Sequence, residues 1–196
     1  MQSKTKNIIR KLIYFILFCL MIYAFIYLGD KYITKNTEKK ETITNYYNDI
    51  NNDKIEIVYG TKLINLLKNG TNIIIIGSKT SSWSEKFVSI INETIIDLDI
   101  NKVYYYDLNY DKSQKNSNYY DIRELLKGNL TTTDGSENNL LAPSLYIIEN
   151  GTVKYYNTET VAMKNTTTTN EYWTEERITI FKNEIKENIN KYYLNN

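Results

Sequence analysis

Ser81, Ser82, Trp83 and Ser84 follow directly on a short apolar run and open a helical pattern. Three hydroxyls this close together raise the question of a nucleophile. A serine nucleophile needs a neighbouring base, and the chain contains no histidine. Lys79 and Lys86 are near in sequence, but as ordinary solvated charges they do not activate a hydroxyl. The lone cysteine, Cys19, sits among Leu and Phe in an apolar segment, so an intramolecular disulfide and a Cys-rich zinc site are both excluded. The acids Asp107, Asp111, Asp121, Asp134 and Glu137 lack calcium-loop spacing. No catalytic residue, metal site or cofactor is therefore assigned. The chemistry left to the serines is capping: a hydroxyl accepts a hydrogen bond from an orphan N–H in a first helical turn. Trp83 has two readings, a residue packed on its own loop and an exposed anchor of the kind found at binding hot spots.

The elements that must hold this stretch are readable on both sides. Ile73 to Ile76 form an uninterrupted apolar run, which suits a strand buried on both faces of a sheet. Phe87, Ile91, Ile95 and Leu98 then recur at helical spacing. Upstream, Ile55 to Tyr59 predict a first strand, and Thr61 caps a short helix stopped at Gly70. Downstream come a strand over Lys102 to Leu108 and a helix capped by Ser117 that turns Ile122, Leu125 and Leu126 inward and ends at Gly128. A hairpin of Ser144 to Ile148 and Thr152 to Tyr156 turns at Asn150-Gly151, where two positive φ angles are needed. A last helix capped by Thr174 carries Ile178, Phe181, Ile185, Ile189 and Tyr192 on one stripe. The expected class is α/β, in the order β-α-β-α-β-α-β-β-α.

Leu12 to Leu28 contains no charge and is just long enough to cross a hydrocarbon core. Lys4, Lys6, Arg10 and Lys11 precede it without an acid, so the positive-inside rule keeps the N-terminus cytoplasmic and the rest outside. The rival, a cleaved signal peptide, lacks its small-x-small cleavage site near Ala24 to Asp30. The expected organisation is a cytoplasmic N-terminus over 1–11, a transmembrane signal anchor over 12–28, a polar stalk over 29–53 and a folded domain over 54–196. Lys and Arg number 24 against 23 Asp and Glu, so no charge excess argues for nucleic acid. The richness in Asn, Ile, Lys and Tyr reads as the composition of a bacterial AT-rich genome.

The order of elements and three segments resemble the thioredoxin-like superfamily. IIIIGSKTSSWSEKF over 73–87 looks like the strand, loop and helix that carry Cys-x-x-Cys, with Ser81, Ser82, Trp83 and Ser84 in the place of that motif. KVYYYDL over 102–108 looks like the following strand. LAPSLYIIENG over 141–151 looks like the cis-proline loop and its hairpin, with Ala142 and Pro143 at the loop. The match covers about 54–193 by order. It is similar to the membrane-anchored, Gram-positive bacteriocin-transport accessory proteins. The resemblance implies a scaffold without dithiol chemistry, since serine is far too weakly acidic to replace a thiolate.

The function this implies is binding without catalysis. A membrane-tethered, extracytoplasmic, redox-inactive protein would hold an extended segment of a membrane or secreted protein against Trp83, Ala142 and Pro143, as an export or assembly accessory. Two alternatives stay open. One is a structural subunit of an export, bacteriocin or DNA-transfer machine. The other is an oxidoreductase-type enzyme that borrows an external thiol.

Overall fold

A computed structural model describes residues 11, 14–24, 42–114, 116–130, 139–158 and 168–195. The chain divides into two units, with the boundary between Lys40 and Glu41. In the first, residues 14–24 are helical, with their apolar side chains exposed. Residues 12–13 and 25–28 of the expected anchor lie outside the described residues. Among the described residues no helix is long and apolar enough to cross a membrane.

The second unit is a mixed α/β domain built on a five-stranded sheet. Its strands are β1 (Ile55–Ile57), β2 (Asn72–Gly77), β3 (Val103–Asp107), β4 (Ser144–Glu149) and β5 (Thr152–Asn157), in the spatial order β1-β3-β2-β4-β5. β1, β3 and β2 run parallel, while β4 and β5 are antiparallel additions. Helices α1 (Gly60–Lys68) and α4 (Ser117–Leu126) cover one face, and α2 (Ser82–Asp97) and α6 (Glu175–Ile189) cover the other. This explains the isoleucine run. Ile73 and Ile75 enter the core under α2 and α6, Ile74 and Ile76 enter the core under α1 and α4, and none of the four is accessible.

The expected order holds for the strands and is incomplete for the helices. Among the described residues two α-helices lie between β3 and β4: α3 (Leu108–Gln114) follows the strand at once, and α4 comes after it. A four-residue α5 (Thr169–Tyr172) precedes α6. Local capping also differs. Asn116, not Ser117, caps α4 by accepting from the Tyr119 amide, and α1 begins at Gly60 without a side-chain cap. Leu125 is 38% exposed instead of inward, because Ile122 and Leu126 already occupy the core-facing stripe. The last helix is as read: Thr174 caps it, and Phe181, Ile185 and Ile189 are buried. The hairpin is too, with φ of 50° at Asn150 and 75° at Gly151. At Gly151 a Cβ would also stand 2.3 Å from the Lys68 carbonyl oxygen, so glycine serves both the turn and the approach to α1.

The domain starts earlier than residue 54. Ile43, Tyr47 and Ile50, inside the expected stalk over 29–53, are at most 3% exposed and belong to the core beneath α2 and α6. Thr42 forms an isolated antiparallel bridge with Glu56, which covers the outer edge of β1.

Glu56 is a nearly buried carboxylate on that short strand. Lys62 and Lys102 each bond one of its oxygens, Lys102 at 2.7 Å. Burial pushes its carboxyl up, but hydrogen bonds and charge from the two lysines outweigh this and hold it below the ordinary glutamate value of 4.5. A depressed folded value means that the stabilisation is complete above 4.5 and is lost as pH falls through the folded value. Urea melts at neutral and acid pH should therefore show Glu56→Gln less stable at neutral pH and closer to the parent in acid. Equal gaps at both pH values would contradict the pairing.

Candidate functional site

β2 delivers the four-residue motif to the carboxyl end of the parallel strands, the end where open α/β sheets hold their ligands. The loop over 78–81 then turns into α2. Ser81 is the N-cap, with backbone angles of −100° and 119°, and its Oγ accepts from the Ser84 amide at 3.4 Å. Glu85 adds a negative charge in the first turn. Ser84 is fully buried, and its Oγ accepts from the Ser78 amide at 2.9 Å. Ser82 is exposed, with its Oγ 3.4 Å from that of Thr169 on α5. The three hydroxyls thus do three jobs: a helix cap, an internal loop brace and a surface contact.

Trp83 is half-buried. Its ring meets Tyr172 edge-on, with centroids 5.8 Å apart. Tyr172 is held in turn by Arg177, whose guanidinium carbon lies 4.3 Å from the ring centroid and whose Nη1 donates to the phenol oxygen at 2.7 Å. Trp83 is therefore both packed and accessible, and the two sequence readings describe opposite sides of one residue.

The Ala142-Pro143 bond is cis. Ile76 pairs with Ser144, and continuing that antiparallel register by one step sets Pro143 opposite Gly77, directly before the motif loop. Ser144 Oγ donates to the Leu141 carbonyl at 2.8 Å and closes the loop on itself. Pro143 is buried, whereas Ala142 is half-buried. Of the residues expected to touch a partner, Trp83 and Ala142 keep accessible surface.

A tyrosine layer under the loop escaped the sequence reading. Tyr47 Oη donates to the Ser78 carbonyl at 2.9 Å and lies 2.9 Å from Tyr105 Oη. Tyr46 and Tyr59 join their hydroxyls at 2.7 Å, and the Lys79 ammonium sits 4.5 Å above the Tyr46 ring. Asn109 Nδ2 donates to Ser78 Oγ at 2.7 Å, and the Asn109 amide donates to Asp107 Oδ1 at 3.0 Å. The available signal was the spacing of Ile43, Tyr47 and Ile50, an apolar i, i+4, i+7 pattern hidden in polar sequence.

Burial raises the Tyr47 phenol to about 12, although its hydrogen bond with Tyr105 pulls the other way. Burial, then the neighbouring Tyr47, push Tyr105 higher still. These hydroxyls stay protonated at neutral pH and cannot act as bases for Ser84. Because the folded value of Tyr47 is raised, its contribution is present below the ordinary value of 10.0 and fades as pH climbs toward 12. Ultraviolet titration should show Tyr47→Phe removing a phenol from the late-ionising group. A phenol lost from the early-titrating group would refute this.

No protein-family model matches this chain, and no curated protein matches it. The site offers a capped helix start, a half-buried tryptophan and a proline loop. Among the described residues no group of three or more acids, histidines or cysteines could hold a metal.

Proposed function

We propose that this is a thioredoxin-like domain, tethered to a bacterial membrane by residues 12–28, that binds an extended segment of another protein and carries out no redox chemistry. The observation behind it is that Ser81 to Ser84, after β2, and a cis-proline loop, before β4, lie at the same end of a β1-β3-β2-β4-β5 sheet. That arrangement resembles the place where thioredoxin-like proteins hold Cys-x-x-Cys against peptide substrates. Ser81 and Ser84 are committed to capping and bracing, which leaves Trp83 and Ala142 as contact surface. A strand of partner backbone laid beside Ala142 would gain main-chain hydrogen bonds, and Trp83 would supply an aromatic anchor. The partner is expected to be a membrane or secreted protein met outside the cytoplasm.

The test is site-specific photocrosslinking from position 82 in cells. Trp83→Ala combined with Ala142→Asp should reduce crosslinks to a discrete partner by about tenfold, as expected for losing one aromatic anchor. An unchanged crosslink pattern would move the contact elsewhere. Insulin reduction by the purified protein should not exceed the blank, and activity above it would favour the borrowed-thiol reading. Alkaline carbonate extraction should leave the chain in the membrane pellet.

A further inference from the structure

At the opposite end of the domain, two Asn-Gly pairs meet. Asn69-Gly70 follows α1, and Asn150-Gly151 turns the β4–β5 hairpin. The Gly151 amide donates to the Gly70 carbonyl at 3.4 Å. Asparagine before glycine is open to attack by the following main-chain nitrogen, because glycine has no side chain to hinder ring closure. The two pairs differ in what the structure does to that nitrogen.

We propose that Asn69 is a self-modification site, converting to aspartate and isoaspartate, and that Asn150 is protected. Both Asn69 and Gly70 are exposed, and among the described residues the Gly70 amide donates no hydrogen bond. The carbonyl of Asn69 accepts from Asn72 Nδ2 at 2.8 Å. When the Gly70 amide loses its proton to water or hydroxide, the charge spreads onto that carbonyl oxygen, where the Asn72 donor stabilises it. The Gly70 nitrogen then bonds to Asn69 Cγ, the Cγ–Nδ2 bond breaks, and ammonia leaves. Water opens the resulting five-membered imide at either carbonyl. One opening gives aspartate, and the other gives isoaspartate with an extra methylene in the main chain. Ring closure needs rotation about the Asn69 ψ of 143°, and Gly70, already at a φ of 72°, can follow it. At Asn150 the attacking amide is occupied by Gly70, and the turn holds Asn150 at a φ of 50°.

The product would matter to the fold. A new carboxylate at the end of α1 opposes the helix dipole. The extra methylene would displace Gly70 from the hairpin tip, where Gly151 is packed too closely on Lys68 for even a Cβ.

The experiment incubates the full chain in mildly alkaline buffer, folded and in urea, followed by peptide mapping with mass spectrometry. In the folded chain the Asn69 peptide should gain one mass unit, with isoaspartyl isomers, roughly fivefold faster than the Asn150 peptide. In urea the two should convert alike. Asn72→Ala should slow Asn69 and leave Asn150 unchanged. Equal rates in the folded chain, or Asn150 leading, would overturn the proposal; Asn69 unaffected by Asn72→Ala would overturn the role given to Asn72.

Discussion

Gly77→Ala is expected to destabilise the domain by about 3 kcal/mol, a large share of the stability of a small domain. A Cβ at position 77 would stand 2.3 Å from the Tyr105 hydroxyl oxygen and 2.6 and 2.7 Å from two of its ring carbons. Tyr105 has nowhere to go. It is fully buried, its hydroxyl is held by Tyr47, and the rings of Tyr46 and Tyr47 press on it edge-on at 5.7 and 6.0 Å. Overpacking of this kind is relieved only by moving backbone, and here the backbone is β2 and the motif loop. Urea denaturation measures the loss. Gly77→Ala with Tyr105→Leu should be more stable than Gly77→Ala alone, because it removes the clashing ring. A loss below about 1 kcal/mol for the single change would show that the loop yields easily.

Asp111→Ala should be of similar size, about 3 to 5 kcal/mol, by a different mechanism. Asp111 is 1% exposed at the junction of four elements. Its Oδ2 accepts from Tyr106 Oη at 2.9 Å and from the Gly60 amide at 3.3 Å, and its Oδ1 accepts from Asn116 Nδ2 at 2.5 Å. One carboxylate thus ties β3, the start of α1 and the cap of α4 to α3. Truncation leaves three buried or half-buried donors without an acceptor, and an unmet buried donor is more costly than a lost bond. Asp111→Asn should recover only part of the loss, since its amide would bring a donor into a site that already faces three. If alanine and asparagine were equally mild, the network would not be structural.

Asp111 and Tyr47 owe their roles to distant segments, unlike the residues of the motif. The motif region was legible because it rests on local rules. Four isoleucines predict a strand buried on both faces, a polar loop with serine predicts a helix cap, and Asn-Gly predicts a hairpin. Each matches the structure at Ile73 to Ile76, at Ser81 and at Asn150-Gly151. Asp111 and Tyr47 were illegible for the opposite reason. Nothing near Asp111 in sequence announces that Gly60, some fifty residues away, will need its oxygen. Tyr47 lies in a stretch whose polarity reads as stalk, yet its hydroxyl braces the loop of the candidate site.

From the sequence alone came the five strands, the longer helices that pack on them, and the chemistry ruled out. Without histidine, and with Cys19 as its single cysteine, the chain cannot assemble a serine–histidine pair or a dithiol in any fold. Tertiary structure decided what the remaining groups do. It divided three neighbouring serines among cap, brace and surface, covered one edge of Trp83 with Tyr172, brought the Ala142-Pro143 loop to Gly77, and drew residues 42–53 into the domain. The physical reason is range. Strand periodicity, capping and turn preferences act over a few residues and are written locally, whereas burial, register and hydrogen-bond partners depend on which distant segments the sheet sets side by side.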